Sequence, residues 1–426
     1  MRRVSLVVAA LALVLTGAPA PAVPPLAGGA LASANVDLVA TVPDAGAVGA
    51  KILGDTMYVT TLAGLQIYDL SLGLGVPVPA GALPLPHFEN EDVDTNGDIL
   101  LISADFAVGV PQVRLFVVDV SNVNAPVLLS TIDVPDGHTV SCINDCAYGW
   151  LAGSGEIYVV DLRDPTRPEV VGSFAPGVGG THDVQVDDAG VAWIVGGGGI
   201  AGYTTANPVS PTLYVRQRGQ FHNDFILHNS WRPHATAVDP VAFADDEVDL
   251  DKGEVVLITE ENWLGAQNNL CGNDGRFQTG WLHEVDGRVV LDKLDDFHIG
   301  QGTGDPPGQK KPAGGTCSSH YFDYRGDGIV AVAWYEQGVR FLDVSNPTDI
   351  RQVGFYMPAI TAAWSAKFHG DYLYTLDVAR GIDVLRFSGG AGDPPVLAPG
   401  YNVPDLLLTA PSPRWGWACR IPLLTS

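Results

Sequence analysis

Histidines recur at matching places along this 426-residue chain. His138 stands in "DGHTVSCINDC", His182 in "GGTHDVQVDDAG" and His320 in "TCSSHYFDYRGDG". Each follows a small residue and precedes a short alternating stretch that ends in a polar turn. His87 in "PHFENED" and either His228 or His222 in "FHNDFILHNSW" extend the set. Imidazole is the commonest nitrogen ligand of borderline divalent metals. Several imidazoles converging on one axis would hold copper, iron, manganese or zinc with one position left open, which permits Lewis-acid or redox chemistry. The alternative is structural, because a histidine after Gly or Ser also caps a strand by bonding backbone groups. Glu260 and Glu261 in "LITEENW" either orient a ligand histidine or lie on the surface as ordinary carboxylates.

A second candidate is "DVDTNGD", where Asp92, Asp94, Asn96 and Asp98 alternate as calcium-loop oxygens do and Gly97 permits a sharp turn. The bidentate Glu that closes such loops is missing, since Ser103 takes the twelfth place. "TNGD" also suits a plain hairpin turn.

These residues need elements that aim them at one point. The chain holds 50 glycines and 31 prolines, with short Val/Ile/Leu/Tyr runs between turn residues and no long helix-period stretch. That pattern predicts an all-β protein. Four segments repeat: "LQIYDLSLGLGVPV", "LFVVDVSNVNAPVLLSTI", "IYVVDLRDPTRPEVVGSF" and "VRFLDVSNPTDIRQVGFY". Each runs an apolar strand into an Asp (Asp69, Asp119, Asp161, Asp343) that caps a turn through its own side chain. A hairpin precedes each, so the unit is a four-stranded antiparallel blade of roughly forty to fifty residues, the period of a β-propeller.

Six units centre on Gly54, Gly97, Gly149, Gly190, Gly326 and Gly370, and a degenerate one combines "NDFILHNSW" with "GEVVLITEENW". Seven blades are expected over residues 36–390, with insertions near 232–252 and 264–316. "VDLVATV" near the N-terminus is expected to complete the last blade and close the ring, which removes free sheet edges. In such a ring His138, His182 and His320 start innermost strands and gather at one channel mouth. Val48 or Gly49 and Trp364 take the matching places in the first and last blades, forming an apolar and aromatic wall opposite.

The segments "IYVVDLRDPTRPEVVGSF" and "VRFLDVSNPTDIRQVGFY" resemble LVIVD-repeat proteins, which are β-propellers common among secreted bacterial proteins. The resemblance covers roughly 36–387; "LSLGLGVPV" departs from it by lacking the Asn-Pro turn, and Arg386 stands where Asp is expected. It implies a fold and no fixed activity. In architecture alone, axial histidines are similar to those of carotenoid-cleaving oxygenases and selenium-binding-type thiol oxidases, whose sequence motifs are absent.

Arg2-Arg3, the apolar Val4 to Leu15 and Ala20-Pro21-Ala22 predict a signal peptide over 1–22, with Ala32-Ser33-Ala34 as a later cleavage site. The apolar run is short for a membrane span, so the protein reads as secreted or on the cell-envelope exterior. The 391–426 tail reads as irregular wrapping. Net charge is −25, which repels phosphate backbones and argues against nucleic-acid binding. Five cysteines fit an oxidising compartment. Cys142–Cys146 would bridge a hairpin; Cys271–Cys317 would close a loop of about 45 residues, worth ~4 kcal/mol or less in the chain-entropy model, leaving Cys419 over. A zinc site is the rival use of these thiols.

"RGD" at 325–327 falls in a tight turn that favours those residues anyway. No Gly-x-Ser-x-Gly elbow or phosphate loop is present. Two functions are therefore expected in outline. One is an exported scaffold that binds a protein, glycan or small molecule as a monomer. The other is an axial metalloprotein, with oxidoreductase chemistry as its enzymatic form.

Overall fold

The computed structural model describes residues 29–392 except 45, 86–91, 106–112, 240–246, 263–274 and 300–316. His87, Cys271, Cys419, the signal segment and nearly all of the C-terminal tail thus lie outside the described residues. Seven antiparallel sheets follow one another along the chain. The single helical element among the described residues is a 3-10 turn at Leu250–Lys252. No described helix is long and apolar enough to cross a membrane.

Blades 1 to 7 begin with the inner strands Ala47–Leu53, Val93–Thr95, Thr139–Ile143, Thr181–Val186, Ile226–Trp231, Phe322–Tyr324 and Ala363–His369. The ring closes as the sequence predicts: Val36–Val42 pairs with Gly381–Phe387 as the outer strand of blade 7. A second clasp was not foreseen. Ala30–Ala32 adds a fifth strand to blade 6 by pairing with Arg351–Pro358. Cleavage after residue 34 would delete that strand, whereas cleavage after 22 keeps it.

The degenerate unit is a full blade. Phe277–Val285 and Arg288–Phe297 are its two outer strands. The insertion expected over 264–316 is corrected accordingly: its middle is propeller sheet. The pattern hid these strands because "HEVDGRVVLDKLDD" carries charge on its solvent side and lacks the Asp-turn-Pro signature.

The middle strands read as unbroken apolar runs because both of their faces are buried. In blade 2, Phe116 and Val118 pack toward blade 1 while Leu115 and Val117 pack toward blade 3. Every neighbouring pair of blades shares such a cluster, so the core is a set of seven wedges rather than one centre.

The four repeat aspartates cap turns as expected. The backbone N–H two residues on donates to Oδ1 of Asp69, Asp119, Asp161 and Asp343 at 2.8, 3.0, 3.0 and 2.9 Å. Asp343 is buried and also accepts from Ser345 Oγ and from the Gly392 N–H at 2.8 Å. Asp343→Ala should cost about 1–3 kcal/mol in urea unfolding, because three donors lose a partner that water replaces poorly.

Candidate metal centre at the propeller axis

The inner strands share one irregularity near their starts. The pairing register skips His182, His228, Trp364 and the Val48-Gly49 pair, so each is bulged out of its ladder. Such bulges re-aim a side chain. Blades 3 and 6 reach the same result through a two-against-one contact. The His138 N–H donates to the Ala152 carbonyl, whose residue already pairs with Thr139. Likewise the His320 N–H reaches the Ala333 carbonyl while the Ala333 N–H reaches Tyr321.

Four imidazoles therefore enter the channel from four successive blades. His138, His182, His228 and His320 form an arc with ring centroids 4.5, 4.2 and 3.8 Å apart. All four are buried. His182 Nδ1 donates to the His228 carbonyl at 3.1 Å, and His320 Nδ1 to the Trp364 carbonyl at 2.7 Å. A carbonyl oxygen only accepts, so these Nδ1 atoms carry the proton, and in the neutral ring Nε2 holds the lone pair. That is the tautomer of an Nε2 metal ligand with its other nitrogen anchored. His138 Nδ1 faces the Asp105 carboxylate at 3.1 Å. At the end of the arc, Val48, Tyr321, Tyr335 and Trp364 form one apolar cluster, whose three aromatic rings lie 4.9–5.1 Å from the His320 ring.

The two glutamates are fully buried, which removes the surface reading. They end the strand Val255–Glu261 and point to opposite sides. Glu261 brings a carboxylate oxygen to His182 and His228, with the ligand atoms of all three within 4.8 Å of one another. Its carboxylate also accepts from the Tyr335 hydroxyl. Tyr335 has φ 40°, a left-handed backbone that an aromatic residue adopts at a cost, pinned by paired hydrogen bonds to Ala363 at 3.0 Å each way. Gly338 (φ 69°) closes the same turn, where a Cβ would collide with the Tyr356 carbonyl.

Glu260 accepts from His222 Nδ1 at 2.8 Å and from the Asp224 N–H at 2.6 Å. Burial pushes its carboxyl above the ordinary range, against the pull of those two donors. The alternatives at "FHNDFILH" thus divide: His228 is axial, while His222 joins Asp224 and Glu260 in a separate half-exposed group.

Farther along the inner strands, the period of two lays down a polar layer. Asp183 accepts from Asn229 Nδ2 at 2.5 Å and from Gln185 at 3.2 Å. Asp92 lies at the edge of this group, its carboxyl held well above the usual range by burial first, then by Asp183 and Asp94. Asp94 pairs with Lys51 at 2.9 Å.

That placement separates the calcium candidates. Asp92 and Asp94 belong to the channel. Asn96 closes its own turn by accepting from the Asp98 and Ile99 N–H groups at 3.0 and 2.8 Å, and Asp98 is exposed. Alternate residues of a strand that runs into a hairpin follow the channel wall and then leave it, so Asp92 and Asp94 meet channel groups while Asn96 serves its own turn.

Cys142 and Cys146 form a disulfide across the "CINDC" turn, and Cys317 is disulfide-bonded too. Arg325 of "RGD" folds back on its own Asp327 at 2.9 and 2.7 Å, so the motif is spent inside the turn.

The LVIVD repeat model matches residues 100–134, which are the second to fourth strands of blade 2. No curated protein matches the chain. Among solved structures it is similar to the Myceliophteria thermophila Cps50 (Swd1) β-propeller domain, at 10% identity and TM-score 0.54 over 82% of this chain and 99% of that one. A putative 6-phosphogluconolactonase from Bacteroides uniformis gives 13% identity and TM-score 0.52 over 82% and 89%. The Pseudomonas aeruginosa periplasmic gluconolactonase PpgL gives 11% identity and TM-score 0.51 over 73% and 86%. At such identities these likenesses speak for the fold alone. The chain is a seven-bladed β-propeller that carries an LVIVD repeat.

Proposed function

We propose that this is an exported metalloprotein that holds one divalent transition metal on its propeller axis through His182, His228 and Glu261. The observation that carries the reading is the convergence of those three buried ligand atoms, from two blades, within 4.8 Å. Two imidazoles and one carboxylate suit zinc with an open position, or iron(II) as a facial triad; copper and manganese are outcomes of the test. Ligand bonds of about 2.0–2.2 Å require the three side chains to draw in on loading. His138 and His320 flank the set and extend it. Tyr335 orients the carboxylate, as outer-shell donors do. The disulfide across "CINDC" fits an oxidising compartment and supports export. An open metal position in a buried, aromatic-walled part of the channel would serve redox or Lewis-acid chemistry on a small molecule.

Metal content of protein secreted through its own leader checks this. About one equivalent is expected, with loss of most of it in His182→Gln and His228→Ala while far-UV circular dichroism is unchanged. Protein that binds no metal saturably, or variants that keep full occupancy, would sink the reading.

A further inference from the structure

Past the histidine layer, the channel contains a cavity of 260 Å3. Lys51 and Lys367 line it from the inner strands of blades 1 and 7, which are neighbours in the closed ring. Asp94 and Asp323 stand beside them on blades 2 and 6, and Gln185 and Asn229 face them from blades 4 and 5. Trp231 and Tyr321 add flat apolar surface. Asp94 holds Lys51 at 2.9 Å, and Asp323 accepts from the Phe368 N–H at 2.8 Å, so both carboxylates are fixed in place.

We propose that this cavity binds one neutral polyhydroxylated molecule, the size of a single sugar ring or cyclitol. The lysines only donate, ionised carboxylates only accept, and the amides do both. An anionic ligand would satisfy Lys51 and Lys367 but be held against Asp94, Asp323 and a chain of net charge −25. A cationic ligand would satisfy the aspartates but be pressed against two ammonium groups. A hydroxyl donates and accepts at once, so vicinal hydroxyls meet neighbours such as Lys367 and Asp323 without burying like charges together. The volume lies below the ~300–1,000 Å3 typical of drug-sized sites, which suits one ring. Burial raises the carboxyl of Asp323 above its ordinary range, against the pull of Lys367 beside it. Nothing in this site requires the axial metal.

Isothermal titration of the full protein with glucose, galactose and myo-inositol tests the assignment, with gluconate and spermidine as charged controls. At least one neutral polyol should bind saturably. Lys367→Met and Gln185→Leu should each weaken it by about tenfold, the loss of one good polar contact, and using both keeps the test open if one variant folds poorly. Stripping metal from the unmodified protein with a chelator should leave polyol affinity essentially intact, which separates failure of this site from failure of the metal centre. Absence of saturable polyol binding, binding of a charged control in its place, or affinity indifferent to both variants would overturn the proposal.

Discussion

Replacing Arg232 with Ala is expected to destabilise the protein by about 3–5 kcal/mol, the cost of stripping one partner from a buried ion pair. Arg232 is among the largest fully buried side chains. Its Nε donates to the Gly253 carbonyl at 2.7 Å, and its two terminal nitrogens reach the Val238 and Ala237 carbonyls at 3.0 and 3.1 Å. The same guanidinium faces Asp187 at 3.4 Å. It therefore ties the segment after blade 5's inner strand to blade 4. Asp187 is committed on its own side, accepting from the Ala189 and Val191 N–H groups at 3.0 and 2.9 Å and from the Trp193 indole at 2.9 Å. Burial already raises the Asp187 carboxyl, and Arg232 pulls it down. Without the arginine the carboxyl rises further. The stability contributed by a raised acid is fully present below its unfolded-state pKa and is lost as pH rises from there through the folded-state value. The deficit of Arg232→Ala should therefore shrink as pH falls from neutrality toward the ordinary carboxylate range. A fall in Tm of about 4–6 °C at pH 7, from ~2.1 cal/mol/K of unfolding entropy per residue, and a smaller fall in acid, is the expected calorimetric result. An unchanged Tm would show that the clamp contributes nothing.

Glu261→Gln should weaken metal binding by more than about 100-fold, while Tyr335→Phe should weaken it by about 10- to 100-fold, the usual effect of removing a ligand's orienting donor. The first keeps the carboxylate's shape and deletes its charge and basicity. The second removes only the hydroxyl that Glu261 accepts from. Competition against a chelator at fixed pH reads both. Loading should also fall in acid, because imidazole and carboxylate bind metal only when unprotonated. Equal affinity in Glu261→Gln and the parent would place the metal, if bound, elsewhere. Tyr335→Phe has a second readout: relief of the left-handed strain is not expected, since φ 40° is imposed by the turn and not by the hydroxyl.

Much of this arrangement was legible before any coordinates. Asp119 and Asp161 announce a turn because an Asx cap is local, needing only the next two residues. "LFVVDV" announces a strand buried on both faces because burial erases its polar alternation. The Asp cap recurs in four units and the strand pattern, clear or degenerate, in seven, and a repeat of blades leaves a ring as the arrangement that covers every wedge. "VDLVATV" could be assigned as the clasp because it looks like the outer strands it joins. The axial placement of His138, His182 and His320 followed from their common offset within the unit. The fifth blade's outer strands escaped notice because a charged solvent face hides the apolar one.

The sequence by itself determined the blade, the blade number, and which residue stands at the channel mouth in blades 3, 4, 6 and 7, because strand period, turn chemistry and burial act over a few residues. Only the tertiary structure decided that His228 and not His222 reaches the axis, that Glu261 joins His182 while Glu260 turns away to His222, and that Tyr335 meets Glu261 from the next blade. Those meetings depend on bulges that rotate single side chains by one position and on the summed twist of seven sheets. Neither leaves a trace in the spacing of residues along the chain.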